Sequence, residues 1–81
     1  MARYFMHLID GADQVLDPEG VEHASLELLH KRVLECARDI IAGDAVQGTI
    51  DLGYRIDAED ETGDVVHSLE FADAVEIKRG R

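Results

Sequence analysis

Apolar residues at the start of the chain occupy both sides of a two-residue alternation. In Arg3-Tyr4-Phe5-Met6-His7-Leu8-Ile9, the side chains of Tyr4, Met6 and Leu8 fall on one face of an extended strand. Phe5 and Ile9 fall on the other, with His7 between them. A strand at the border of a one-faced sheet alternates apolar with polar residues. The pattern therefore predicts a central strand, running from Met1 to the Asp10-Gly11 turn, covered on both sides by its own chain or by a second copy.

Asp10-Gly11-Ala12-Asp13 predicts a hairpin turn returning through a short strand at Gln14-Val15-Leu16. Asp17-Pro18-Glu19-Gly20 marks a β-turn, after which Val21 and Glu22 lead to a helix with Ser25 as its N-cap. Apolar residues then recur at Leu26, Leu29, Val33, Cys36, Ala37, Ile40 and Ile41, one face of a helix that ends at Gly43 or Gly48. Residues 44–53 read as a connection in which Ile50 and Leu52 tuck against the core. Tyr54, Ile56 and Ala58 alternate with Arg55, Asp57 and Glu59, a half-buried strand. After an Asp60–Asp64 turn the chain returns with Val65, His67, Leu69 and Phe71 on one face. Val75 and Ile77 extend this strand or cover an edge after a bend at 72–74, and Lys78-Arg79-Gly80-Arg81 reads as a frayed basic tail.

The order is strand, strand, helix, strand, strand. The expected architecture is α+β: an antiparallel sheet of three to four strands with one long helix packed on one face, within a single domain spanning 1–81. One helix covers one sheet face only. The two-sided first strand then predicts a homodimer, with Phe5, His7 and Ile9 as the self-association residues. An 81-residue chain also gains from association, since a domain this small buries only about 60% of the surface its unfolded chain exposes.

Charge narrows the partners. Eighteen acidic against eight basic residues give a net charge of −10, which argues against nucleic acid or anionic lipid, because phosphate binding needs a cationic surface. It permits a basic protein partner, for which Asp57, Glu59, Asp60, Glu61 and Asp64 are the candidate residues. The plainer reading of that set is a solvated turn, as core packing is for Phe5, His7 and Ile9. The start carries no long apolar run behind basic residues, so neither a secretory leader nor a membrane span is expected. The single cysteine, Cys36, forms no internal disulfide and is expected to pack as a small apolar side chain in a reducing cytoplasm. Lys31 and Arg32 nearby are weak support for a reactive thiol.

No chemical signature stands out. Read as a calcium loop from Asp57, the acidic stretch has Thr62 where glycine is required and Ser68 where the bidentate glutamate belongs. His7, His23, His30 and His67 share no metal-ligand spacing, although His7 and His67 could meet across neighbouring strands. Ser25 and Ser68 sit on no glycine-flanked elbow, and the glycines form no phosphate-cradling run. The expectation is no enzyme, no cofactor and no metal, with a weak metal or small-ligand binder as the last alternative.

Several stretches together carry a resemblance over nearly the whole chain. They are Arg3-Tyr4-Phe5-Met6-His7-Leu8, Asp10-Gly11, Asp17-Pro18-Glu19-Gly20-Val21-Glu22, Ala37-Arg38-Asp39-Ile40-Ile41-Ala42, Asp60-Glu61-Thr62-Gly63-Asp64-Val65-Val66 and Leu69-Glu70-Phe71-Ala72-Asp73-Ala74-Val75. With them the chain resembles a bacterial family of small stand-alone domains of unknown function, the uncharacterised family numbered 6894. The resemblance implies the same α+β domain and brings no activity, cofactor or catalytic residue. In order of elements alone the chain is also similar to antitoxin domains related to double-stranded-RNA-binding folds. The charge opposes RNA binding but suits an antitoxin-like or inhibitory protein that covers a basic effector.

Overall fold

A computed structural model describes residues 2–80; Met1 of the expected first strand and Arg81 of the expected tail lie outside them. The chain runs β1 (Ala2–Asp10), β2 (Asp13–Val15), β3 (Val21–His23), α1 (Leu26–Val46), β4 (Arg55–Glu59), β5 (Val65–Glu70) and α2 (Phe71–Ala74). Five antiparallel strands form one open sheet with the long helix against one face, the α+β architecture expected. The additional strand is β3, where the sequence pattern placed only a lead into the helix.

β1 is central. It pairs with β4 along one edge, from Phe5–Glu59 to Ile9–Arg55. Two short strands share its other edge: β3 takes Ala2 to Tyr4, and β2 takes Leu8 to Asp10. Between them the main-chain N–H of Met6 has no strand to meet and instead donates to the Asp17 carboxylate at 3.2 Å. The Asp17–Gly20 turn thus fills a gap in the ladder with a side chain, satisfying a donor that would otherwise be orphaned.

The helix is fixed by local chemistry at both ends. Ser25 Oγ accepts from the Leu28 N–H at 3.2 Å, capping the first turn. At the other end the Gly48 N–H donates to Ala45 O and the Thr49 N–H to Asp44 O, the paired bonds of a Schellman terminus. The helix therefore passes through Gly43 and ends beside Gly48, taking up the first residues of the expected connection. Leu29, Val33, Ala37 and Ile41 are buried against the sheet, and Cys36 and Ile40 are half-buried at the margin. Leu26 begins the apolar stripe but overhangs the sheet and stays 47% exposed.

The sheet contributes Tyr4, Ile56 and Ala58 to this core, with Phe71 and Ala74 of α2 closing one end. The Phe71 N–H donates to Tyr54 O at 2.9 Å, and Arg38 Nε donates to Ala74 O at 2.8 Å, tying α2 to β4 and α1. The returning strand departs from simple alternation. Register shifts at Ala58/Glu59, so that Ala58 pairs with His67 while Glu59 pairs with Val65, leaving Val66 as a bulge. Val66 packs inward, and Val65 turns to the opposite face, 54% exposed. The expected row of Val65, His67, Leu69 and Phe71 is thus broken at its first member, and β5 ends at Glu70, where Phe71 opens the short helix.

Candidate functional site

Strand alternation sorts every β1 and β4 side chain to the helix face or to the face that no helix covers. The uncovered face receives Phe5, His7 and Ile9 from β1, Arg55, Asp57 and Glu59 from β4, and Val65, Ser68 and Glu70 from β5. The three residues expected in self-association therefore stand in one row. The Phe5 and His7 rings are 6.5 Å apart with planes 11° from parallel.

His7 is the best anchored group on this face. Its Nδ1 accepts the Asp17 N–H at 3.0 Å, and its Nε2 lies 2.8 Å from Glu59 Oε2. An imidazole that accepts at Nδ1 carries its proton on Nε2, so it is the neutral tautomer that donates to Glu59. The side chain is only 12% exposed although it lies on an open face. Alongside, Arg55 grips Asp57 through two bonds of 3.0 and 3.2 Å, and Ser68 Oγ donates to Asp57 Oδ1 at 2.5 Å.

The carboxylates singled out as a partner surface divide between this face and its rim, and each has an intramolecular partner. Asp57 and Glu59 are held as described. In the β4–β5 turn, Asp60 accepts from the Thr62 N–H, the Thr62 hydroxyl at 2.6 Å and the Asp64 N–H, while Asp64 Oδ2 lies 3.2 Å from the same hydroxyl oxygen. Glu61 accepts the Arg3 N–H at 3.2 Å. The stretch that invites a calcium reading is a hairpin turn whose acids bind their own backbone. Among the described residues no group of three or more His, Cys, Asp or Glu side chains is arranged to hold a metal ion.

These bonds have a consequence in acid. Burial raises the Asp17 carboxyl, but N–H groups of Gly20, Met6 and Glu19 together bring it below the usual 3.8. Burial likewise raises Asp57, outweighed by Arg55 and Ser68. Asp60 is lowered chiefly by the Thr62 side chain. A folded-state value below the unfolded one gives stability that is complete above 3.8 and is lost as pH falls through the lowered folded values. Urea midpoints are expected to drop steeply with acid below 3.8, with a shallower drop in Asp17→Asn. A midpoint flat through that range contradicts the assignment.

His7 and His67 do not meet as the sequence allowed. His7 pairs with Asp57 and His67 with the adjacent Ala58, so they point to opposite faces and do not meet. His67 instead stacks on His30 of the helix, with centroids 4.0 Å apart. Cys36 sits half-buried at the core margin, where burial pushes its thiol above the usual range, the reverse of an activated nucleophile. Near the β1–β2 hairpin lies a shallow open depression lined by Leu8, Asp10, Asp13, Gln14, Val15 and Tyr54. There the Tyr54 phenol is pushed up first by Asp10, then by burial and by Asp51, Asp44 and Asp13.

Sequence reasoning missed the anchoring role of Asp17. Its one local signal is Asp at the head of a Pro-Glu-Gly turn, a position whose carboxylate commonly takes the following N–H groups. Its bonds to Met6 and His7 are tertiary and leave no such trace.

The site is thus the sheet face opposite the long helix, half-buried and partly covered by the Asp17–Gly20 turn, built around a neutral imidazole with most of its polar groups bonded internally. The chain belongs to a family described as a domain of unknown function, DUF6894, whose model matches residues 3–72. No match was found among curated proteins or solved structures. No helix among the described residues is long and apolar enough to cross a membrane.

Proposed function

We propose that this protein is a small protein–protein interaction module and that the sheet face opposite the helix docks a second copy of the chain. The observation that carries the reading is the row Phe5, His7, Ile9 on a central strand that α1 seals on one side only. Charge on this face is partly offset within the chain. The chain as a whole carries −10, yet on this face Asp57 is neutralised by Arg55, and Arg3 lies 3.5 Å from Glu22. Glu59 is engaged by His7. Glu59 and Glu70 remain anionic on the face, so association of like copies is expected to tighten as salt screens them. Val65, turned outward by the bulge, adds apolar area beside Glu59, across β4 from Phe5.

The reading assigns no catalysis to the chain. Ser25 Oγ is used as a helix cap, Ser68 Oγ is bound to Asp57, and the Cys36 thiol is held up by burial. The free thiol suits a reducing, cytoplasmic setting. A basic partner, including an effector neutralised in antitoxin fashion, is the second reading, favoured by the net charge of −10. It must compete with the internal bonds that already hold Asp57, Glu59, Asp60, Glu61 and Asp64.

Sedimentation equilibrium at tens of micromolar tests the first reading. The wild type is expected to dimerise, and Ile9→Glu to weaken association by about 30-fold or more, as an unpaired buried charge at an interface costs roughly 2–5 kcal/mol. Helical circular dichroism is expected to persist, because Ile9 points away from α1. A monomeric wild type, or a variant that dimerises equally well, contradicts the reading.

A further inference from the structure

His30 of α1 and His67 of β5 lie ring against ring where the helix crosses the sheet, centroids 4.0 Å apart and planes 25° from parallel. His30 is exposed and His67 half-buried. β5 is an edge strand, with β4 as its only ladder neighbour among the described residues, so its second tie is to the helical layer beneath. We propose that the His30–His67 stack is a proton-operated latch between the helix and the edge strand, closed while at most one ring is charged and opened when both are.

Two neutral rings, or one neutral and one charged, stack favourably; two imidazolium ions at this separation repel. The surroundings offer His67 little relief. From β4 the facing residues are Ala58 and Ile56, and β1 contributes Tyr4, Met6 and Leu8 to the same side. On β5 itself the same side carries Leu69 and the inward Val66. On α1, Glu27 lies one turn before His30 and Leu34 one turn after it, and the carboxylate of α2 is Asp73. Burial and then His30 lower the His67 value below 6.5, and no carboxylate contributes to the shift. A depressed folded value means that the unfolded chain takes the proton first. The stability from a neutral His67 is thus complete above 6.5 and falls as pH drops through the lowered folded value. A second positive charge on the stack parts the rings.

Imidazole carbon NMR of the full chain tests the latch, run against pH on wild type, His30→Gln and His67→Gln, with amide exchange protection read on β5. In the wild type the His67 midpoint is expected below 6.5. It should rise in His30→Gln, which removes the neighbouring charge that lowers it. β5 protection is expected to fall by about tenfold below the second midpoint in the wild type and to hold in His30→Gln. Independent midpoints, or β5 protection that ignores pH, overturn the proposal. Should His67→Gln fail to fold, His30→Gln at its exposed helical position decides the matter alone.

Discussion

Phe71→Ala is expected to remove about 3–5 kcal/mol of folding stability, the usual cost of emptying a buried phenylalanine site. Phe71 is fully buried, lies 5.6 Å centroid to centroid from Tyr54, and starts the short helix that closes one end of the core. Small domains hold only roughly 0.05–0.15 kcal/mol per residue, so the loss takes a large share of what an 81-residue chain possesses. The site cannot collapse readily, because the main chain at Phe71 is bonded to Tyr54 O and α2 is held from the other side by Arg38. Urea unfolding followed by circular dichroism reads the effect, with Phe71→Leu keeping most of the volume and most of the stability. A loss below about 1 kcal/mol for the alanine variant contradicts this packing.

Gly20→Ala is expected to be nearly as damaging, by a different route. Gly20 has φ of 70°, a left-handed conformation that costs an L-residue about 1–2 kcal/mol. A Cβ there also meets Tyr4 O at 2.7 Å and the Phe5 ring at 2.9 Å. The Tyr4 oxygen belongs to the central strand and cannot yield, so the turn must lift away, loosening the Asp17 bonds to Met6 and His7. The total is expected to reach about 2–4 kcal/mol, strain and overpacking together. Gly63→Ala is the control. Its φ of 88° carries the same backbone strain, but its Cβ meets only Glu59 Oε1 at 3.9 Å. The difference between the two variants isolates the close approach. It should be accompanied in Gly20→Ala by weakened self-association, because the turn supports Phe5 and His7. Equal costs for the two variants contradict that role.

How far the molecule is legible in its sequence depends on how local each determinant is. The helix is readable because its signals lie within a few residues: Ser25 before the first turn, Leu29, Val33, Ala37 and Ile41 at helical spacing, Gly48 after the last turn. The 60–64 hairpin is readable for the same reason. β3 is not, because three residues with Val21 and Glu22 exposed carry too short a pattern, and they become a strand only by pairing with Ala2 to Tyr4. The bulge is equally silent. Val65 and Val66 are identical in chemistry, and only the register against Ala58 and Glu59 decides which one faces inward.

The candidate site divides along the same line. That Phe5, His7 and Ile9 share a face follows from alternation alone. That Asp57, Glu59, Asp60, Glu61 and Asp64 are bonded within the chain requires knowing which N–H groups, hydroxyls and cations the fold brings to them. Charge counted along the sequence does not reveal charge already spoken for. His7 and His67 make the point most sharply: neighbouring residues of β4 pair with them, and that one-residue offset puts them on opposite faces.

Docking of a second copy on the sheet face opposite α1 is tested residue by residue by concentration-dependent amide chemical shifts. On dilution through the micromolar range, shifts are predicted to be concentrated at Phe5, His7 and Ile9 and at their ladder partners Glu59, Asp57 and Arg55, with α1 unmoved. Spectra that do not change with concentration, or changes that fall on the exposed side of α1 instead, contradict it.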